Sequence, residues 1–198
     1  MELKVFNKWS CEGIKVEDPG LIKYISVKPI IVPKTGARYV GKRFHKSEIN
    51  LVERLINKVM VPGHKSKKHL ITSGHNTGKK ISAMQIVEKA FEIVEKRTKK
   101  NPVEVFVKAV ENGAPREEVI AIEYGGARYP KAVECAPQRR VDVCLRLMIQ
   151  GTYQKCFNGK KKAAEVLADE LINAYNLSSN SVAVAKKLEI ERQADSSR

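Results

Sequence analysis

A mainly α fold is what this sequence predicts: a single helical domain of about six helices with a protruding β-hairpin arm, preceded by an extended basic N-terminal segment. Three observations carry that expectation. Apolar residues recur at helical spacing in several stretches beyond residue 47, and two short β-rich runs flank Gly125-Gly126. The first 46 residues, by contrast, hold Pro19, Pro29, Pro33, Gly36 and Gly41 and sustain no period. At 198 residues the chain suits one core rather than two. The division expected is an N-terminal extension over 1–46 and a helical domain over 47–198, with the hairpin at 117–135.

Taken in order, Asp18-Pro19 can open a short helix, and the segments around Pro33-Lys34-Thr35-Gly36 and Gly41-Lys42-Arg43 read as basic loop. A helix is expected from near Ser47, burying Leu51, Leu55 and Val59 and ending at Pro62-Gly63. Ile81, Met84, Val87, Phe91 and Val94 make the apolar stripe of the next helix. Asn101-Pro102-Val103-Glu104 has the chemistry of a helix start, with a capping amide, a proline where no amide hydrogen bond is lost and an early acid; Asn112-Gly113 closes it.

Val119 to Tyr124 and Ala127 to Cys135 are the β-rich runs, and two glycines between them signal a tight reversal. Pro130 cannot donate to a ladder, so its strand must be exposed or bulged there. A two-stranded arm of this kind cannot bury both faces in the core and should project from the body or rest on a partner. After Pro137, the stripes Val141, Cys144, Leu145, Met148, Ile149 and Ala164, Leu167, Ala168, Leu171, Ile172, Tyr175 mark two core helices. Glu170 falls on the polar side of the second. A last helix fits Ser181 to Arg192, and Gln193 to Arg198 reads as a frayed tail.

Charge narrows the function. Lys and Arg number 37 against 22 Asp and Glu, a net charge of +15, with aromatic residues at only 6%. Between Glu53 and Glu88 lie seven Lys or Arg, three His and no acid. So one-sided a stretch repels itself and suits a dense polyanion whose counterions it displaces. Few aromatics favour structured RNA held through its phosphates over a strand stacked base by base. No run of apolar residues approaches the ~20 needed to cross a bilayer, and the N-terminus lacks the apolar centre of a secretory signal, so a cytoplasmic protein without a membrane partner is expected. Cys11, Cys135, Cys144 and Cys156 are widely spaced, with no CxxC pair and no zinc spacing; reduced thiols and no metal follow.

The string from Gly74 to Lys80 resembles a phosphate-binding loop in part. Three residues instead of four separate its glycines, and Lys80 stands where a magnesium-binding hydroxyl is needed. Those departures argue against nucleotide hydrolysis and leave a clamp for phosphate, in which glycines let the backbone approach and Lys79 and Lys80 supply charge. Of the histidines only His45 has an acid, Glu48, close in sequence, and no catalytic triad order or zinc-protease string occurs, so no enzyme activity and no cofactor are expected. Arg139 and Arg140 sit at a helix start, where cations are unfavourable unless an anion joins them. Lys160-Lys161-Lys162 shares that ambiguity.

Several of these blocks, in this order, resemble the small-subunit ribosomal protein seven family in its archaeal and eukaryotic branch, where the eukaryotic member is protein five. Gly78-Lys79-Lys80 followed by Ile86-Val87 and Ala90 is similar to the family signature; Asn101 to Phe106 with Ala109 to Asn112 resembles its next helix. Tyr124 to Pro130 with Val133-Glu134 resembles its protruding hairpin, and Ala183 to Lys187 through Arg192 its closing helix. The resemblance implies a non-enzymatic ribosomal protein that binds the 3′ major domain of small-subunit ribosomal RNA and helps nucleate assembly of the subunit head. Its hairpin would reach exit-site transfer RNA and the outgoing messenger RNA, beside small-subunit proteins nine and eleven. Expected ribosomal RNA contacts are Arg38, Lys42 and Arg43 along the extension, then Lys65, Lys67, Lys68, Lys79, Lys80, Arg139 and Arg140. Gly125, Gly126 and Arg128 form the hairpin tip facing transfer and messenger RNA. The alternative is a regulatory RNA-binding protein that represses a message.

Overall fold

Side-chain caps set the start of three of the helices. The structure, a computed structural model, describes residues 3–65, 68–69 and 75–198, with backbone alone at 64–65 and 68–69. Among these residues the order is β1 (Lys4–Val5), β2 (Trp9–Ser10), a 3-10 turn (His45–Glu48), α1 (Leu51–Val59), β3 (His64–Lys65), β4 (Lys68–His69), α2 (Lys80–Thr98) and α3 (Pro102–Gly113); then β5 (Glu117–Tyr124), β6 (Ala127–Glu134), α4 (Pro137–Cys156), α5 (Ala163–Tyr175) and α6 (Val182–Asp195). The fold is mainly α with an antiparallel hairpin, as the sequence predicts.

Asn101 accepts a hydrogen bond from the Val103 amide at 3.0 Å with Pro102 in the first turn, so α3 opens where its residues dictate. Ser181 accepts from the Val184 amide at 3.3 Å and opens α6. The first helix starts later than Ser47. A 3-10 turn comes first, Ile49 is extended, and Asn50 then caps α1 by accepting from the Val52 amide at 2.8 Å. The other end of the Asn50 amide donates to the Lys28 carbonyl at 2.7 Å, so the cap also ties down the N-terminal segment.

The core forms where α5 packs against α2, α3 and α4. Leu167, Ala168 and Leu171 are fully buried, with Ala164, Ile172 and Tyr175 half-buried at its edge. All five stripe residues of α4, from Val141 to Ile149, are buried. Trp9, Phe91 and Phe106 form an aromatic column with centroid separations of 5.7 and 5.8 Å. Small residues bring the helices close. A Cβ on Gly113 would lie 2.7 Å from the Cys144 sulfur, and one on Gly151 would lie 2.7 Å from the Cβ of Val182.

Four expectations need correction. Ile81 is 72% exposed; it sits about 120° round the helix from Val87, and Ala83 and Ala90 complete the stripe instead. Glu170 is fully buried, not on a polar face: it accepts from the Ser181 hydroxyl at 2.7 Å, the Ala183 amide at 3.2 Å and Lys155 at 3.2 Å. A carboxylate there offsets the positive end of α6. The N-terminal segment has few regular elements, yet Val5, Trp9, Cys11, Leu21 and Ile25 lie in the core, so it is packed onto the body. The C-terminal residues do not fray. Ala194 is buried, the Ala132 amide donates to the Ser197 carbonyl at 3.2 Å, and Arg198 donates to both Glu117 oxygens at 2.8 Å.

Those last contacts anchor the hairpin. Its ladder runs from Glu117↔Glu134 to Tyr124↔Ala127, and α6 packs against β5 at the base. Gly125 and Gly126 have φ of 58° and 83°, the left-handed pair that a two-residue reversal requires. Every residue from Ile120 to Lys131 is exposed, so the outer half of the arm stands clear.

Because Leu167 and Leu171 have no exposed surface, Leu167→Ala or Leu171→Ala should each lower unfolding free energy by about 2–5 kcal/mol in urea titrations. A smaller loss at both sites would mean that α5 is not the centre of the core.

Candidate nucleic-acid interface

The chain's positive charges divide into those paired with the protein's own carboxylates and those with no acid within ion-pair distance among the described residues. Lys80, expected on the surface, belongs to the first group. Its amino group lies 2.7 Å from Glu53, whose side chain is fully buried, and the same Glu53 oxygen accepts from the amide and hydroxyl of Thr35 at 2.9 and 3.0 Å. A buried carboxylate without a cation is costly, which holds Lys80 inward.

Arg139 and Arg140 also have anions at their helix start, but these are carboxylates of the protein. Arg139 donates to both Glu118 oxygens at 2.6 Å. Arg140 is buried; it donates to Asp18 at 2.7 Å and to the Pro115 carbonyl at 3.1 Å. Burial alone would raise the Asp18 carboxyl, but the Arg140 hydrogen bond and charge, with the Gly20 amide, hold it below its ordinary value. The anion that the helix dipole calls for is thus intramolecular. Arg140 therefore has no free face for phosphate.

Arg38, Lys42, Arg43 and Lys79 make the second group. All four are exposed, and none lies within ion-pair distance of an acid among the described residues. The Arg43 guanidinium lies 5.4 Å from the ring of Phe44, itself 56% exposed. Lys79 occupies the cap position of α2, after Gly78 with φ of 76°. Asn76 ties this turn to α1 by donating to the Val59 carbonyl at 3.1 Å. A lysine at the positive end of a helix welcomes an anion. The side chains of Lys65, Lys67 and Lys68 lie outside the described residues.

A groove missed in the sequence runs between α1, α4 and the 34–46 loop. Arg54 is buried there, donating to the Tyr24 carbonyl at 2.9 Å and to Asp142 at 3.2 Å, while Lys46 lies 2.5 Å from the other Asp142 oxygen. Burial would raise the Asp142 carboxyl, but Lys46 and Arg54 outweigh it and hold it below its ordinary value. Lys58 and Arg146, one turn further along each helix, have no acid within ion-pair distance among the described residues. Burial, then the charges of Arg146, Lys46 and Arg54, push the Lys58 amine down despite Asp142. Tyr39 closes the groove, its hydroxyl accepting from Asn57 at 3.3 Å. The readable signal was two i, i+4 pairs of charged residues, Arg54 with Lys58 and Asp142 with Arg146, on helices whose other faces are apolar.

At the hairpin tip Arg128 is exposed and 3.5 Å from Glu123, its cross-strand partner. Ile120, Ile122, Tyr124 and Tyr129 share one exposed face of the arm. His45 lies 3.5 Å from Glu48 on the surface. Burial pushes the Cys144 thiol up to about 12 and, with Glu118 nearby, the Cys135 thiol up to about 11, so both are unreactive packing residues. No helix among the described residues is long and apolar enough to cross a membrane.

The two adjacent lysines should separate in stability measurements. Lys80→Gln strands the Glu53 carboxylate and should cost about 3–5 kcal/mol, whereas Lys79→Gln should leave the urea midpoint unchanged. Equal effects would mean that the Lys80–Glu53 contact does not hold α2 to α1.

Comparison with known proteins identifies the family. The family described as ribosomal protein S7p/S5e matches residues 21–198. The small ribosomal subunit protein uS7 of Nanoarchaeum equitans is 52% identical over 198 residues, covering all of both chains. Its counterpart in Archaeoglobus fulgidus is 47% identical across 100% of this chain and 96% of the relative, and that of Methanothermobacter thermautotrophicus is 47% identical across 97% of each. The chain thus belongs to the ribosomal protein S7p/S5e family, whose members are RNA-binding, non-enzymatic structural constituents of the small ribosomal subunit in translation.

Proposed function

We propose that this protein binds the 3′ major domain of small-subunit ribosomal RNA through the face that carries Arg38, Lys42, Arg43 and Lys79 together with the groove of Lys58 and Arg146, and so helps nucleate the subunit head. One observation carries the reading: these cations lack acidic partners among the described residues, while Glu53, Asp18 and Glu118 are each committed to a contact inside the protein. Lys65, Lys67 and Lys68 are proposed as further phosphate contacts on their charge alone. Arg139, half-exposed on its Glu118 pair, can add to it; Lys80 and Arg140 act on the fold instead.

Phosphate contacts of this kind position the protein and carry the salt dependence of binding. Tyr39 and Phe44 interleave the cations, an arrangement that admits stacking on an unpaired base beside the phosphate contacts. The arm has different chemistry. From Glu117 to Glu134 it carries four Glu against Arg128 and Lys131, so it is poorly suited to lie along a phosphate backbone. Its exposed Tyr124 and Tyr129 beside Arg128 suit it to exit-site transfer RNA and messenger RNA, with small-subunit proteins nine and eleven as neighbours.

Replacing Arg38, Lys42, Arg43 and Lys79 with Gln should weaken binding to protein-free small-subunit RNA and reduce the log–log salt slope by roughly 0.7–0.9 for each phosphate that is no longer neutralised. Footprinting would locate the site; an unchanged slope would remove this face as the RNA contact. Exchanging Ala121 to Pro130 for a short Gly-Ser link should leave folding, footprint and subunit incorporation intact while lowering retention of exit-site transfer RNA. Normal retention would refute the role given to the arm.

A further inference from the structure

The groove between α1, α4 and the 34–46 loop deepens into a cavity of about 730 Å³. That is within the range of roughly 300–1,000 Å³ typical of small-molecule sites, and far more than a phosphate group needs. Its walls are of two kinds. Ile49, Val61 and Ile149 give an aliphatic side closed by the Tyr39 ring, and Lys46, Arg54, Lys58 and Arg146 surround the single acid Asp142 on the other. Four cations and one acid leave three positive charges around the opening.

Resting on the RNA-binding reading above, we infer that this cavity receives one unpaired nucleotide of the bound RNA, its base against Tyr39 and the aliphatic wall, its edge on Asn57 and its phosphate on Lys58 and Arg146. Each part of a nucleotide finds its chemistry there. The Asn57 amide donates to the Tyr39 hydroxyl at 3.3 Å, which fixes the ring and leaves the Asn57 carbonyl and a second N–H for a base edge. Asp142 is already held by Lys46 and Arg54, so it does not oppose a phosphate at the two remaining cations. A paired base cannot enter such a site, whereas an unpaired RNA base can be splayed out and stacked on an aromatic side chain.

The test uses the full chain and a small-subunit RNA fragment that it binds. Ultraviolet cross-linking should join Tyr39 to a single unpaired nucleotide. Deleting that nucleotide, or making Asn57→Leu, should each weaken binding about five- to a hundred-fold, and combining the two should add little further, since both remove the same interaction. Lys58→Gln with Arg146→Gln should lower the salt slope by roughly 1.4–1.8. Urea midpoints check that each variant is folded. Full additivity of the two changes, or unchanged affinity in folded variants, would overturn the pocket while leaving RNA binding by the outer face intact. Failure of the unaltered chain to bind RNA would instead strike the broader reading, and the pocket with it. Micromolar binding of a free nucleoside monophosphate, with RNA affinity indifferent to Asn57→Leu, would assign the cavity to a soluble ligand and overturn the inference.

Discussion

The Glu53 carboxylate is the constraint on which the basic face depends. It lies on α1 with no exposed surface, yet it reaches two other parts of the chain: Thr35 of the basic loop, through amide and hydroxyl, and Lys80 at the start of α2. One buried charge thereby joins three elements. The loop carries Arg38, Tyr39, Lys42 and Arg43, and the turn before Lys80 carries Lys79, so the outward cations inherit their positions from an inward ion pair. An ion pair in this setting gains little net stability over an apolar substitute, but removing one partner is expensive. Geometry is what it contributes.

The same division of labour recurs at the other charged sites. Arg140 with Asp18 and Arg54 with Asp142 join segments distant in sequence, and Lys155 with Glu170 joins the end of α4 to α5. In each pair one charged group is buried. A protein with so large a positive excess repels itself. Pairing the few buried acids with cations neutralises the interior and leaves the unpaired cations at the surface, where a polyanion would relieve their repulsion. Net charge alone does not disclose this; the pairing does.

Local signals were the legible ones. The Asn101-Pro102 start, the Gly125-Gly126 reversal and the α5 stripe each depend on residues within a few positions of one another, and each stands where the sequence places it. Partners far apart were not legible. Nothing near Lys80 in the sequence announces Glu53, and a sequence separation of 122 between Asp18 and Arg140 hides the carboxylate that the helix start required. The dipole of α4 does demand an anion, but a helix end cannot distinguish a phosphate from a distant aspartate, so its source was misread. Ile81 failed for another reason: alanines carry as much helix face as larger residues, and weighting by size alone rotates the stripe. The tail after Gln193 was polar enough to read as frayed, and only the neighbouring arm makes it ordered.

That arm shows how a marginal element becomes a usable one. Two strands alone bury too little to be stable in water. Here the Cys135 amide extends the ladder by one rung, donating to the Arg116 carbonyl at 2.8 Å, and the body holds the base: α6 packs against β5, the Ser197 carbonyl accepts from the Ala132 amide, and Arg198 pairs with Glu117. The outer half has none of these supports and only its own ladder with the glycine reversal. Rigidity at the base and exposure at the tip are therefore set by different residues. Changes beyond Ile120 act on what the arm touches, whereas changes at Glu117, Ala132 or the last residues act on where it points. An arm held by the body's own C-terminal residues has its direction set by contacts at its base, and its exposed tip takes no part in setting it.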